Sequence, residues 1–322
     1  MKLTVTHETR YVYASRVEQA HHIAHLQPVS NDVQTLHSHH LSISPTPSER
    51  SSGADAYGQP REYFELATPH SELVVTADSL VTTAPLPAAL IGSDADATLA
   101  QGTPWEALVE RMQYRAGQPF DAAREFVHSS PLAPVHVEFA RYAATLATPG
   151  RSVHALARAL CARIHADFRY APQSTDVSTP PLDALSRREG VCQDFAQVMI
   201  ACLRSLGLPA RYVSGYLLTS PPPDQPRLVG ADASHAWVSV YCPSKGWLEF
   251  DPTNDCLAGE GHVRLGYGRD YGDVPPLRGV IRGGGSHQLS VAVTVSSLAD
   301  ETPGSRPVTG QSQSQTQSPS RA

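Results

Sequence analysis

The chain has 322 residues, of which 41% are hydrophobic and 17% charged, enough apolar material for one large core or two ordinary ones and too much for a disordered chain. Its formal net charge of -6, with a pI near 6.2, argues against a broad nucleic-acid footprint. No apolar run is long enough to span a bilayer, the five cysteines form no spaced framework, and the N-terminus alternates like a strand where a signal peptide would carry an apolar block; the expected compartment is the reducing cytoplasm.

Residues 1–100 are expected to form a β-domain. Strand-like runs at Leu3–His7, Tyr11–Tyr13, Glu62–Leu66 and Leu73–Thr76 are separated by turn-rich stretches such as Ser51-Ser52-Gly53 and Tyr57-Gly58-Gln59-Pro60, a spacing that suggests a small β-sandwich or open barrel. Helical patterns begin at Pro104–Val109, where Thr103 can cap and Pro104 can occupy the first turn, and continue through Val137–Leu146 and Val153–Phe168, the last opened by Ser152 as a cap. From Val191 to Leu206 there is no Pro or Gly, and the run stops at Gly207 followed by Pro209. Phe195, Val198, Met199, Ile200, Cys202 and Leu203 cover most of that helix's circumference, so it reads as a buried central element.

After it, Ala210–Leu218 is a strand and Pro221–Pro226 a loop; His235–Tyr241 and Gly246–Asp251 are strands joined by the turn Pro243-Ser244-Lys245-Gly246. His287–Val295 is a late strand placed to rejoin a sheet. Helices followed by antiparallel strands predict an α+β unit over 101–298, and the sequence GSRPVTGQSQSQTQSPSRA inside 299–322 predicts a disordered tail.

Three side chains carry nucleophilic chemistry. Cys192 falls in the first turn of the central helix, where unpaired N–H groups and the helix dipole favour an anion and can receive an oxyanion. Cys161 and Cys202 lie inside apolar helical patterns and read as small core residues. His235 begins one strand and Asp251 ends the next, so antiparallel pairing brings them to one end of a hairpin. Asp251 would then fix the tautomer of His235, and His235 would take the proton of Cys192 and return it to a leaving amine.

At these residues the sequence resembles the transglutaminase-like superfamily of papain-like thiol enzymes, through GVCQDFAQVMIACLRSLGLPARYVSGY from Gly190, SHAWVSVY from Ser234 and GWLEFDPTND from Gly246. It is also similar to the bacterial branch with its own N-terminal β-domain, through HETRYVYASRV from His7, LQPVSNDVQTLHSHHLSISP from Leu26 and GRDYGDVPPLRGVIRGGGSHQLSVAVTV from Gly268. The resemblance implies a papain-like core, with Cys192 as nucleophile, His235 as base and Asp251 as its orienting partner. It implies attack on a carboxamide to give a thioester, resolved by water or an amine. The second oxyanion donor varies in the superfamily; Tyr170 is the candidate here and Gln193 its competitor. Trp237 is a candidate wall of the acyl site, Asp194 a support for the helix N-terminus or a partner for Arg211, and Arg269-Asp270-Tyr271 resembles a family segment.

The competing chemistry is metal binding by His21, His22, His25, His37, His39 and His40. No Cys-x-x-Cys or His-Glu-x-x-His segment accompanies them, so neither metal nor cofactor is expected. The expected partner is a peptide or protein substrate carrying a carboxamide or amide, with a primary amine as alternative acceptor, and neither nucleic acid nor membrane; oligomeric state is open. A cytoplasmic location gives little use for cross-linking and tilts the expectation toward hydrolysis over transamidation. Arylamine acyl transfer is a more distant option, and a binding module that has lost catalysis is the non-enzymatic one.

Overall fold

The computed structural model describes residues 1–91, 95–117, 119–172, 174–175, 179–219, 234–298 and 313–315. Pro221–Pro226 and the tail from 299, except for 313–315, lie outside them. At the N-terminus, Leu3, Val5, His7 and Thr9 alternate inward, as do Ala20, His22 and Ala24 further on, and the chain forms a single 23-residue strand, β1 (Lys2–Ala24), where two short ones were expected. The residues between the two expected strands, Glu8-Thr9-Arg10, are polar, but their backbone continues the strand.

β1 serves two half-sheets. Its first half pairs antiparallel with β5 (His70–Thr83) and β14 (His287–Ser297), and its second half with β4 (Pro60–Leu66) and β13 (Leu277–Gly283). β2 (Gln34–Ser44) adds to β5, β3 (Glu49–Ala54) to β4 and β15 (Gln313–Gln315) to β14. A register shift between Val12 and Val17 lies between the two halves, and Tyr13, Val17, Phe64, Leu66, Leu73 and Val75 share the core there. One eight-stranded sheet, curled on itself, thus gives the sandwich-like unit.

The second unit is a helical layer on an antiparallel sheet. The helices are α1 (Ala95–Ala100), α2 (Trp105–Met112), α3 (Val137–Ala144), α4 (Val153–Asp167), α5 (Pro181–Arg187) and α6 (Cys192–Ser205). The Ser152 hydroxyl caps α4 by accepting from Ala155 N at 3.2 Å, as expected, whereas Thr103 does not cap α2 and its carbonyl instead accepts from Val153 N of α4 at 3.0 Å; Pro104 is the N-cap of α2, whose start is held by Trp105 N donating to Arg151 O at 2.9 Å. The sheet order is β11 (Cys256–Leu257), β10 (Gly246–Asp251), β9 (Ser234–Cys242), β8 (Ala210–Leu217), β12 (His262–Gly268). Ala236, Val238 and Val240 of β9 enter the core beneath α6, while Trp237 packs with Val213, Ala258 and Tyr267. A short parallel pair, β6 (Arg169–Tyr170) and β7 (Glu189–Gly190), lies just before α6. Among the described residues no helix is long and apolar enough to cross a membrane.

The two units meet through Leu3, Val5, Val81, Val293 and Val295 on one side and Tyr216, Val263 and Leu265 on the other. The edge of β12 is closed by side chains. Gln34 accepts from Arg264 N at 2.8 Å and donates to Arg264 O at 2.8 Å; Gln59 accepts from Tyr267 N and donates to Tyr267 O at 2.7 Å. Each amide thereby supplies the donor and acceptor that a neighbouring strand would have offered. Removing Gln59 strands the N–H and C=O of Tyr267, and removing Gln34 strands the Arg264 N–H, whose carbonyl keeps Val29 N at 3.1 Å, so Gln34→Ala or Gln59→Ala is expected to lower unfolding free energy by about 1–3 kcal/mol, measured by denaturant titration.

Candidate active site

α6 begins at Cys192 because its N-terminus is built by its neighbours. Val191, the N-cap, has no side-chain acceptor; instead Asp194 reaches back, accepting from Val191 N at 2.8 Å and from the Thr175 hydroxyl at 2.7 Å. A Cβ on Gly190 would stand 2.5 Å from Asp194 Oδ2 and 2.7 Å from its Cβ, so only glycine leaves room for this reach. The far end is a Schellman turn: Leu208 N donates to Leu203 O at 2.9 Å, Gly207 N to Arg204 O at 2.8 Å, and Gly207 has φ +84°. Gly190→Ala is expected to cost about 1–3 kcal/mol by overpacking and to slow Cys192 alkylation, read together by thermal melting and iodoacetamide labelling.

The half-buried Cys192 Sγ lies 4.0 Å from Ser234 O, so the first residue of α6 meets the first residue of β9. The next residue, His235, hydrogen-bonds through Nε2 to Asp251 Oδ2 at 2.7 Å and also to Cys192, for which Nδ1 is the ring nitrogen left. Asp251 is fully buried, and five donors meet it. Thr253 N (2.9 Å) and Asn254 N (3.2 Å) donate to Oδ1; His235 Nε2, Asn254 Nδ2 (2.7 Å) and His262 Nε2 (3.2 Å) converge on Oδ2.

Burial pushes the His235 imidazole down, but hydrogen bonds to Asp251 and Cys192 and the charges of both override it and raise it to about 10. Burial likewise raises Asp251, and is overcome by the His235 and His262 hydrogen bonds, the His235 charge and Asn254, which hold the carboxyl well below its ordinary range. The raised His235 contributes stability fully present below its ordinary value of 6.5 and lost as pH climbs through about 10; the depressed Asp251 contributes stability present above 3.8 and lost on acidification. The melting temperature of the wild type relative to His235→Ala is therefore expected to be highest between about pH 4 and 6.5 and to fall toward pH 10.

Other expected residues fall near or away from this centre. Tyr170, half exposed, sets its ring edge-on to Phe195 of α6 at 6.3 Å; burial, then the charges of Cys192 and Asp194, push its hydroxyl up to about 12. Gln193 follows Cys192 in the first turn of α6. Trp237 does not wall a groove: it is fully buried, its Nε1 donates to Glu249 at 2.8 Å, and its ring supports His235 and His262 from behind at 5.9 and 5.1 Å. Asp194 caps α6 and does not pair with Arg211, whose guanidinium lies 4.0 Å from the Trp247 ring centre and 3.6 Å from that of Tyr267. In Arg269-Asp270-Tyr271, Arg269 is bound to Asp273 and Asp270 accepts from Leu132 N and Gly272 N. Tyr271 sets its ring edge-on to that of buried Tyr212 at 6.3 Å; burial, then the Cys192 charge, raise the Tyr212 hydroxyl well above the ordinary tyrosine value.

Four of the six N-terminal histidines bond protein groups: His21 to Tyr63, His25 to Pro275 O, His37 to Thr82 and His39 to Ser79. Among the described residues the one group with metal-ligand spacing is His235, Asp251 and His262. There Gly259 N donates to His262 Nδ1 at 3.2 Å, which puts the ring proton on Nε2, facing Asp251, where a metal would need the lone pair. Hydrogen bonding accounts for the whole cluster. His262 was not anticipated; as a lone histidine opening a strand it carries no sequence signal.

A thiol heading a buried helix, packed on an antiparallel sheet that offers a His-Asp pair, defines a papain-like α+β fold. Residues 138–252 match the transglutaminase-like superfamily core and residues 3–82 the bacterial transglutaminase-like N-terminal region, and the chain belongs to the transglutaminase-like superfamily. An uncharacterised Mycobacterium tuberculosis protein is 42% identical over 281 residues, 86% of each chain, and one from Mycobacterium leprae is 36% identical over 308 residues, 92% of this chain and 99% of that one. A Pseudomonas aeruginosa protein-glutamine gamma-glutamyltransferase is 34% identical over 119 residues, covering 34% of this chain and 18% of its own. The solved structure of a candidate cysteine protease from Cytophaga hutchinsonii shares the fold, with a TM-score of 0.70 over 98% of this chain and 96% of that one at 20% identity.

Proposed function

We propose that this protein is a thiol-dependent acyl-transfer enzyme that hydrolyses a peptide or amide bond, with Cys192 as nucleophile, His235 as general base and acid, and Asp251 as the group that orients His235. The observation that carries this reading is the His235 ring, held by Asp251 at 2.7 Å on Nε2, which leaves Nδ1 for Cys192, whose Sγ lies 4.0 Å from the carbonyl of the preceding residue, Ser234. The Cys192 sulfur attacks the carbonyl carbon and its proton goes to His235. The oxyanion is received at the head of α6 by backbone N–H groups, with the Tyr170 hydroxyl as second donor and Gln193 as its alternative. Collapse expels the amine, which takes the proton from His235, and leaves a thioester on Cys192. Water, deprotonated by His235, then releases the acid and restores the thiol. A reducing, cytoplasmic setting belongs to this reading, since it keeps all five free cysteines reduced.

The half-exposed Tyr170 and half-buried Cys192 favour water as acceptor, because transamidation needs water kept out. Transamidation is the second reading, supported by the 119-residue similarity to the Pseudomonas aeruginosa glutamyltransferase. A peptide library containing glutamine, incubated with and without a primary amine, separates them. Hydrolysis predicts carboxylate products at a rate indifferent to the amine. Amine incorporation as the main product would replace it with transamidation, and no amine-releasing turnover of any peptide would contradict both.

A further inference from the structure

We propose that His262 is a positioning residue of the thiol site, acting through Asp251 to hold the His235 ring in register with Cys192. This role presupposes the thiol chemistry proposed above. Three donors share Asp251 Oδ2, and they differ in how firmly they are held: His235 must move a proton, Asn254 is an exposed loop residue, and His262 is buried and pinned. Gly259 N fixes its Nδ1 and so its tautomer, and the Trp237 ring stands across it at 5.1 Å and 78°.

The pinning extends outward. Trp237 is anchored by Glu249 at 2.8 Å, Glu249 by Arg264 at 2.9 Å, and the Arg264 guanidinium returns to the carbonyl of His262 at 3.0 Å. Gln34 of the N-terminal sheet clamps the Arg264 backbone on both sides. Gly215 lets this assembly close over β8, since a Cβ there would stand 2.5 Å from the Trp237 ring. The N-terminal unit is thereby coupled to the orientation of a buried carboxylate it never touches. In this arrangement His262 fixes Oδ2 as the oxygen that faces His235, the function a tightly held neighbouring donor serves at other oriented imidazoles.

The test uses the full chain carrying H262Q or H262N. A glutamine amide reaches the position of Nε2 and can still donate to Asp251; an asparagine amide reaches only that of Nδ1. Cys192 alkylation by iodoacetamide is followed by peptide mass spectrometry at pH 6 and pH 9, with the other four cysteines as internal references. H262N is expected to slow Cys192 on the order of tenfold at pH 6 and little at pH 9, where an ordinary thiol ionises unaided, its pKa being about 8.5. H262Q is expected to stay within about twofold of wild type at both. Wild-type rates in both variants at pH 6, or an equal slowing of both variants at both pH values, would overturn the role. Uniform labelling of all five cysteines in the wild type would instead remove the thiol reading itself, and His262's role with it.

Discussion

Asp251→Asn is expected to cut kcat by about 10³–10⁴-fold with KM little changed, the scale seen when an orienting aspartate becomes an amide and its histidine takes the wrong tautomer. The reason lies in the donor count. Oδ1 accepts two backbone N–H groups, and Oδ2 accepts from His235, His262 and Asn254. An amide has one oxygen, so its NH₂ must confront donors on one side or the other. Facing the histidines, it drives the His235 proton to Nδ1, the nitrogen that must accept from Cys192. Facing the loop, it opposes the N–H groups of Thr253 and Asn254 and costs about 1–3 kcal/mol of stability. Steady-state kinetics with parallel thermal melts read both effects, and a variant within tenfold of wild type would show that Asp251 does not orient the base.

Arg204→Met is expected to destabilise the protein by about 3–5 kcal/mol, a large share of the 5–15 kcal/mol that holds most domains together. Arg204 lies in the last turn of α6 yet is 2% exposed, and burial pushes its guanidinium down to about 10. It donates to the carbonyls of Phe126 (2.9 Å), Ala210 (2.8 Å) and Arg269 (2.6 Å) and to the Ser130 hydroxyl (3.0 Å). Methionine fills much of the volume but leaves those acceptors unpaired. Lysine would keep the charge without the fork, so Arg204→Lys should recover only part of the loss. Denaturant unfolding with an unchanged m-value is the appropriate measurement; a loss below about 1 kcal/mol would mean that water replaces the guanidinium.

Arg204 also marks where sequence reading stops. The central helix was legible because Gly207 and Pro209 punctuate it and its apolar residues run all round, and Cys192 was legible at its head for the same reason. Ser152 announced α4. His235 and Asp251 could be brought together because one short turn joins their strands. What local pattern could not carry were decisions made by distant partners. An arginine on an apolar helix looks solvent-bound until three separate segments, around Phe126–Ser130, Ala210 and Arg269, supply its acceptors. β1 looked like two strands because polar Glu8-Thr9-Arg10 separates its apolar runs, yet those three residues are paired on both sides, with β5 and with β14. Trp237 had two faces to choose from, and Gly215 on the neighbouring strand with Glu249 behind it decided the inward one. Gln34 and Gln59 are single polar residues whose roles exist only across the junction of the two units, and His262 is one whose partners, Asp251, Gly259 and Trp237, come from three separate points of the second unit.

The thiol account is tested most directly by rapid quenching of the wild-type enzyme with a turnover-competent peptide, followed by intact mass and peptide mapping. A thioester adduct on the peptide containing Cys192, lost in Cys192→Ala and discharged when the quench is delayed, is the predicted result. Turnover that persists in Cys192→Ala, or an adduct mapped to Cys161, Cys202, Cys242 or Cys256, would contradict it.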